Sequence, residues 1–199
     1  PNTPLSIETV EIHDPQAGEL LVKVLSCGVC HTDISVIGRP FSVDKPMVLG
    51  HEGVGIVVAT GSQKSDFKPG DRVVMSFDFC GTCQSCTSHA QSYCQYFFGA
   101  NFLGQRSDGS TALSRDGASI RHKFFGQSSF ATHCLCSEKN AVKVPDWVPD
   151  DLLPLLGPLG CGFQTGAGAI INVLKPQLNE SVVVFGSGAV GMAGIMAAK

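Results

Sequence analysis

The sequence has no excess of basic residues, no long apolar run and no low-complexity tract. It holds 14 lysine and arginine residues against 17 acidic ones, which gives a net charge of −3. Nucleic-acid binding generally needs a basic surface that neutralises phosphates, so this charge argues against it. The longest apolar run, LLPLLGPLGCGF, is interrupted by proline and glycine and is too short to span a bilayer. We therefore expect no nucleic-acid partner and no membrane anchor.

The first residues show no basic segment followed by an apolar segment, so we expect no secretory signal. Cysteine, by contrast, is abundant, with 9 residues. An odd number of cysteines without a sign of export indicates reduced thiols, which favours metal binding over disulfides. We expect a cytoplasmic protein.

Residues up to about Val144 contain strand-length apolar runs separated by turn residues. One such turn is the Pro-Gly sequence KPGD. The pattern predicts a mostly β first region. The predicted strands are Ser6–Ile12, Glu19–Ser26, Val54–Gly61 and Asp71–Phe77.

The pattern changes after Pro145. Residues 151–175 mix leucine, alanine and small residues at helical spacing, which predicts helix. Val182–Phe185 is a compact apolar run typical of a strand buried on both faces of a parallel sheet, and residues 189–199 predict a helix. A parallel sheet needs more than one strand, so we expect this second domain to be incomplete in the chain.

Four cysteines cluster between residues 78 and 95 in the pattern C-x2-C-x2-C-x7-C. Four thiolates can surround Zn²⁺ tetrahedrally. A ferredoxin-type iron–sulfur motif would have a last spacer of three followed by proline, whereas Gln95 follows here. Structural zinc is favoured; an iron–sulfur cluster and a disulfide or free-thiol set remain alternatives. Because four protein ligands would leave no open position, we expect no chemistry at Cys80, Cys83, Cys86 and Cys94.

Cys30, His51 and Cys161 form a second candidate ligand set. Each could singly be a packing residue. Glycines flank His51 and Cys161, however, and allow close backbone approach. Asp33 and Glu52 supply carboxylates nearby, and a carboxylate commonly orients a ligand histidine. Two thiolates and one imidazole leave the fourth position open, as a catalytic zinc requires.

The sequence GSGAVG, residues 186–191, fits the pattern G-x-G-x-x-G between a predicted strand and a predicted helix. Gly186 would permit the tight turn, Gly188 the approach of a pyrophosphate, and Gly191 the packing of helix on strand. A simple packing turn is the alternative. The acidic residue that would distinguish NAD from NADP is expected about 20 residues further on, beyond Lys199.

These motifs resemble the zinc-dependent alcohol dehydrogenases of the medium-chain dehydrogenase/reductase family, for which a Cys2His catalytic zinc is known. The resemblance rests on CGVCHTD, GHEGVG, KPGDRVV, the four-cysteine segment, GPLGCGFQTGAGA and GSGAVG, and it runs from about residue 18 to 199. YFFGANFLG and FFGQSSFATH also resemble the aryl-alcohol (benzyl-alcohol) dehydrogenase branch.

The resemblance implies an α/β protein. Residues 1–162 would form a mostly β, GroES-like catalytic domain with a structural zinc lobe at 78–95, and residues 163–199 the start of an incomplete Rossmann domain. It implies two Zn²⁺ per chain, NAD as the preferred cofactor, and a homodimer or homotetramer of the full-length protein. Family chains are about twice as long, so we expect a partial chain.

The resemblance also implies individual roles. Glu52 would lie behind the catalytic zinc and exchange as a ligand, and Asp33 would hydrogen-bond His51. Thr32 would accept the proton of the substrate hydroxyl. His31 would lie near the cofactor pyrophosphate, and Thr165 would contact the nicotinamide.

The implied activity is reversible hydride transfer from a primary alcohol, of the aryl type, to NAD, which gives the aldehyde. Ser35 stands where several relatives carry the histidine that completes the proton relay, so the exit of the proton is open. Phe97, Phe98 and Phe102 could flank an aryl pocket or pack the lobe. The alternative functions are a zinc-stapled binding module and a related NAD(P)H-dependent reductase without catalytic zinc.

Overall fold

The computed structural model describes residues 5–38 and 46–199. Its described strands form two antiparallel sheets, one of five strands in the order β7-β2-β3-β4-β8 and one of three in the order β1-β5-β6. All of these strands precede residue 145, which confirms the predicted mostly β first region. The strands are β1 Glu11–Ile12, β2 Glu19–Gly28, β3 Glu52–Thr60, β4 Arg72–Met75, β5 Leu113–Arg115, β6 Ala118–Ile120, β7 His133–Ser137 and β8 Ala141–Lys143.

Helices occupy the connections and the C-terminal region. No helix among the described residues has the length and apolar character needed to cross a bilayer. The α-helices are α1 His31–Gly38, α2 Gln84–Thr87, α3 Phe97–Phe102, α4 Gly162–Gly168 and α5 Ala189–Ala198. The 3-10 helices are Gln91–Tyr93, Phe124–Gly126, Glu138–Asn140, Asp150–Leu155 and Gly157–Gly160, and Ala169–Leu174 is a π-helix.

The long antiparallel pair of β2 and β3 organises the larger sheet. Leu20 and Val22 of β2 and Val57 of β3 are buried in the core, because alternate residues of a strand point to opposite faces, whereas Leu25 and Val58 are exposed. The register pairs Leu20 with Thr60 at one end and Gly28 with Glu52 at the other. The end of β2 therefore lies beside the start of β3, which brings the residues that follow Gly28 close to those that precede Glu52.

A group of buried charges joins β2 to the start of the four-cysteine segment. Arg106 donates to Glu19 from Nε at 3.0 Å and from Nη2 at 2.8 Å. Lys123 Nζ lies 3.6 Å from Glu19 and 3.9 Å from Asp78. His122 is buried beside them, and burial, reinforced by the charges of Lys123 and Arg106, lowers its pKa to about 4.

The helix predicted over residues 151–175 is present only in pieces. Two 3-10 segments come first, and α4 and the π-helix follow. Pro154 lies within the first 3-10 segment and Pro158 near the start of the second. Proline lacks an N–H and clashes with the preceding turn, so a continuous α-helix cannot form there.

Two strand predictions are wrong in extent or kind. Of Ser6–Ile12, only Glu11 and Ile12 pair, with β5. Val182–Phe185 belongs to no strand in the described part of the chain, and Val183 and Phe185 are 73% and 96% exposed. A strand needs a hydrogen-bonding neighbour, and no described strand lies beside this run. The helix predicted after it is confirmed as α5.

Candidate functional site

The four-cysteine lobe, residues 78–95, folds around its sulfur atoms. The Sγ atoms of Cys80, Cys83, Cys86 and Cys94 all lie within 4.8 Å of one another. Cys86 Sγ is 3.8 Å from Cys80 Sγ and 3.5 Å from Cys83 Sγ. A tetrahedral ZnS4 site with bonds of about 2.3 Å has S···S edges of about 3.8 Å. The lobe sulfurs thus have the spacing that a zinc ion requires.

Charge in the lobe is divided unevenly among the thiols. Backbone N–H groups of Thr82 and Cys83 point at Cys80 and lower the pKa of its thiol to about 6. Burial, together with the neighbouring thiols, raises the pKa of Cys86 to about 12. Four thiols this close together cannot all lose their protons unless a cation lies among them, because the negative charges would repel one another. All nine cysteines of the chain are free thiols.

A second cluster lies at the meeting point of β2 and β3. Cys30 follows β2, His51 immediately precedes β3, and Cys161 joins the last 3-10 segment to α4. One ligand atom from each of these residues and one from Glu52 lie within 4.8 Å of one another. Cys161 Sγ is 4.0 Å from Cys30 Sγ. The structure therefore brings together residues that lie up to 131 positions apart in sequence.

His51 is held by Asp33, and both side chains are only 1% exposed. Asp33 Oδ1 lies 3.1 Å from His51 Nδ1 and accepts from Gly50 N at 3.0 Å, while Oδ2 accepts from Cys30 N at 3.1 Å. Burial opposes the charged ring, but the hydrogen bond and charge of Asp33 prevail and raise the pKa of His51. The other ring nitrogen, Nε2, is buried and has no hydrogen-bond partner among the described residues. A bound metal ion would satisfy it.

Glu52 completes the cluster from behind. Its Oε1 lies 3.4 Å from the N–H of Gly162, and a Cβ atom at Gly28 would come within 2.2 Å of its Oε2, so a larger residue there would displace the carboxylate from this position. Burial and the nearby charges of Cys30 and Glu52 raise the pKa of the Cys161 thiol. Two thiols, an imidazole and a carboxylate, crowded and partly buried, fit Zn²⁺, which binds all three ligand types.

The other predicted catalytic and cofactor residues lie around this cluster. The Oγ1 atom of Thr32 is 3.6 Å from Cys30 Sγ, and the Thr165 hydroxyl donates to the carbonyl of Cys161 at 2.7 Å. His31 is exposed at the start of α1. Ser35 is half-buried on the same helix. Their roles toward substrate and cofactor stay predictions.

The glycine-rich sequence lies directly before α5. Gly186 has a φ of 107°, and Gly188 is the N-cap residue of the helix with open space around it. A Cβ atom at Gly191 would lie 2.0 Å from the carbonyl oxygen of Gly186. The turn thus has the backbone shape described for a phosphate-binding loop, with free N–H groups at the helix N-terminus.

Sequence reasoning missed the segment that packs behind His51. The ring of Phe125 stacks on His51, with centroids 4.5 Å apart, and Gln127 hydrogen-bonds the carbonyl of His51. The only signal was the quoted sequence FFGQSSFATH, which carried no assigned role. Phe97 packs against the lobe cysteines and against Phe125, whereas Phe102 packs against Phe125 and Phe124, and the half-exposed Phe98 stacks on Phe102. The packing interpretation thus holds for Phe97 at the lobe; a role of the three phenylalanines toward an aryl substrate stays a prediction.

Comparison with known proteins identifies the fold family. Residues 16–146 match the alcohol dehydrogenase GroES-like domain family. The chain is 48% identical over 197 residues to a geraniol dehydrogenase of Castellaniella defragrans, covering 98% of the chain and 52% of that protein.

Two solved structures agree with this family. An alcohol dehydrogenase zinc-binding domain protein from Burkholderia ambifaria matches with a TM-score of 0.92 and 48% identity, covering 98% of the chain and 52% of that structure. A benzyl alcohol dehydrogenase from Acinetobacter calcoaceticus matches with a TM-score of 0.87 and 48% identity, covering 95% and 50%. The chain spans about half the length of the relatives it matches.

The predicted GroES-like fold class is therefore confirmed, while the boundary predicted at residue 162 stays a prediction. A zinc-stapled binding module does not account for the second cluster or for the extent of these similarities. The chain belongs to the zinc-type alcohol dehydrogenases of the medium-chain dehydrogenase/reductase family.

Proposed function

We propose that the protein oxidises a primary alcohol of the aryl (benzyl) type reversibly to its aldehyde, with NAD as hydride acceptor and one zinc ion in each cysteine cluster. One observation carries the proposal. Four donor atoms of Cys30, His51, Glu52 and Cys161 converge within 4.8 Å, and Nε2 of the buried His51 has no hydrogen-bond partner in the described part of the chain. Three of these donors are the Cys2His set, and the carboxylate gives the site a fourth donor that can exchange.

Asp33 fixes His51 for this task. Because its carboxylate accepts a hydrogen bond from Nδ1–H, the neutral ring keeps its lone pair on Nε2, which points away from Asp33. A zinc ion at the cluster would supply Lewis acidity, which lowers the pKa of a hydroxyl group brought to it. Thr32, next to Cys30, would accept the hydroxyl proton of the substrate. Ser35 cannot pass that proton on as histidine does, so the proton would leave through the cofactor ribose or water.

The glycine-rich turn before α5 would receive the cofactor. Its N-terminal N–H groups and helix dipole favour an anion such as the pyrophosphate of NAD. In this proposal Gly186 makes the tight turn, Gly188 lets the pyrophosphate approach and Gly191 lets the helix pack closely against the turn. His31 lies near the pyrophosphate, and Thr165 contacts the nicotinamide. NAD is preferred over NADP by family resemblance alone.

The substrate class rests on the relatives. One relative is named for benzyl alcohol and another for geraniol. Both alcohols carry the hydroxyl on a carbon next to an sp² carbon, whereas ethanol does not. An assembly of two or four copies is the matching expectation for the full-length protein.

Metal analysis combined with a substrate series on the full-length protein tests the proposal, because the 199 residues alone are expected to be inactive without a complete cofactor domain. We expect two zinc ions per chain, and kcat/KM falling from benzyl alcohol to geraniol to ethanol with NAD as acceptor. Equal rates with NADP would correct the cofactor, and a preference for geraniol would correct the substrate class. One zinc ion per chain, retained in a Cys161→Ser variant, would contradict a metal ion at the second cluster. Turnover without that ion would favour a zinc-independent reductase.

A further inference from the structure

The segment Lys123–Ser129, here called the rear turn, has an unusual backbone. Lys123, Phe125 and Ser128 have φ values of 63°, 49° and 55°, and Gly126 has 70°. Residues other than glycine rarely adopt this left-handed conformation. A cluster of three such residues persists only where the surroundings fix it, and such clusters occur preferentially at functional sites. The contacts of the rear turn are therefore expected to serve a functional site.

Gln127 is the residue of the rear turn that reaches the second cluster. Its side chain is fully buried. Nε2 donates to the carbonyl of His51 at 2.9 Å and to that of Ser76 at 3.2 Å. Oε1 accepts from the N–H of Gly53 at 3.0 Å and from the Ser129 hydroxyl at 2.9 Å. Both donors and both lone pairs of the amide are thus used.

These bonds fall on either side of Glu52. His51 precedes Glu52 and Gly53 follows it, so one amide spans the two peptide units that join them. Both His51 and Glu52 supply donor atoms to the second cluster. Because both peptide units are hydrogen-bonded to the same amide, this backbone cannot rotate freely, and the side chains of His51 and Glu52 keep their directions. Asp33 orients the imidazole ring, whereas Gln127 acts on the backbone that carries it.

The hydrogen bonds of the rear turn also reach β2, the strand that pairs with β3. Ser129, which donates to Gln127, has its Oγ 3.1 Å from Cys27 Sγ at the end of β2. Cys27 pairs with Gly53 in the sheet. The rear turn is therefore tied to both strands whose ends bring the second cluster together.

We propose that Gln127 is a positioning residue for the metal ion of the second cluster. It fixes the backbone of His51, Glu52 and Gly53 so that two ligand side chains converge before the ion binds. The proposal rests on the proposed function, since it requires an ion at that cluster. Partners of this kind, one step removed from the ion, change metal affinity about 10–100-fold when they are removed.

The lobe offers a matched control. Asn101 is also a fully buried amide, and it brackets one residue in the same manner. Its Oδ1 accepts from the N–H of Asp78 at 2.8 Å, and its Nδ2 donates to the carbonyl of Asp78 at 2.8 Å. Asn101→Leu removes a buried amide beside the lobe, and Gln127→Met removes one beside the second cluster.

The experiment loads the purified protein with Co²⁺, whose visible absorption reports ligand geometry. The bands that Cys161→Ser abolishes belong to the second cluster, and those that remain belong to the lobe. We expect Gln127→Met to shift the second-cluster bands and to speed Co²⁺ loss to a chelator by about tenfold. The lobe bands should stay unchanged. Asn101→Leu should leave the second-cluster bands and their Co²⁺ loss within about twofold of wild type.

Unchanged second-cluster bands and unchanged Co²⁺ loss in Gln127→Met would overturn the role of Gln127. Equal changes at both sites in Gln127→Met would do so too, because they would indicate general loosening of the fold. If Gln127→Met does not fold, Gln127→Glu gives the same test, since it keeps the acceptor for Gly53 but loses both donors. It should shift the same bands, and no shift would again overturn the role. Wild-type protein without second-cluster bands would overturn the proposed function itself.

Discussion

The two cysteine clusters are built in opposite ways. The lobe takes four ligands of one kind from residues 80–94, where spacers of two and seven residues aim the sulfurs inward. The second cluster takes three kinds of ligand from residues 30, 51, 52 and 161. The lobe therefore carries its geometry locally, whereas the second cluster exists only after β2, β3 and the segment before α4 have packed together.

This difference indicates what each cluster depends on. The lobe has little regular structure, a four-residue helix and a three-residue 3-10 turn, and its buried side chains are mainly the cysteines themselves. We therefore expect it to need an ion to stay folded. The second cluster is instead held by Asp33, Gln127 and the sheet, so its fold should persist without an ion.

Loss of a lobe ligand should have the largest effect on stability. We expect Cys83→Ser to lower the free energy of unfolding by about 5 kcal/mol or more, since structural zinc contributes about 10–16 kcal/mol in zinc-finger peptides. Thermal unfolding with metal analysis measures this. Cys134→Ala is the control, because Cys134 is a buried thiol outside both clusters. Intact stability combined with lost turnover in Cys83→Ser would reverse the assignment of roles.

The same substitution in the second cluster should act on turnover. We expect Cys161→Ser to lower kcat/KM for benzyl alcohol by more than about 100-fold, because losing a ligand should cost more than losing a partner of a ligand. One zinc ion per chain should remain, and thermal unfolding should stay close to that of Cys134→Ala. A drop in stability as large as that of Cys83→Ser would show that both clusters are structural.

Asp33→Asn should produce a graded effect at the second cluster. The amide cannot match a carboxylate that accepts from His51, Gly50 and Cys30, so its NH2 group would face a donor. We expect zinc affinity at that cluster to fall about 10–100-fold. Chelator competition measures it, with the lobe ion as an internal reference. The exposed Asp116→Asn serves as control; equal losses in both variants would contradict the role of Asp33.

The lobe and the second cluster also differ in how far the sequence predicts them. The convergence of the four lobe sulfurs was predictable, because the cysteines lie within one short segment and their spacing sets the geometry; the zinc ion among them stays a prediction. The residues of the second cluster were predictable as candidates, since flanking glycines and carboxylates surround each of them. Their convergence was not, because it depends on the register that places Gly28 beside Glu52.

Two features of the structure could not be predicted from the sequence: the absence of a strand at Val182–Phe185 in the described part of the chain and the contacts of Gln127. Val182–Phe185 has the composition of a buried strand, but pairing depends on neighbours that the run itself cannot reveal. The role of Gln127 depends on left-handed residues in the rear turn, and Lys123 and Phe125 give no sequence sign of that conformation. Glycine or asparagine would have done so.

His122 separates acid effects on the clusters from those on the rest of the fold. Acid protonates the cluster thiolates and releases ions from both. His122 belongs to neither cluster. Its pKa of about 4 lies below its ordinary value because it is buried and because Lys123, Arg106 and His13 carry like charge, which outweighs the opposing charge of Glu19. Between about pH 6.5 and pH 4, His122 is protonated in the unfolded chain but neutral in the folded chain. The free energy of unfolding therefore falls as the pH drops through this range.

We expect this residue to cost about 1 kcal/mol of stability between about pH 7 and pH 5.5. His122→Gln should remove that share and leave a shallower pH dependence. Urea unfolding at both pH values measures it, with metal content determined in parallel. If the two proteins lose stability equally while retaining their ions, His122 is not the buried neutral group inferred here. If both lose their ions first, acid acts through the clusters, and the lobe should be the one that unfolds.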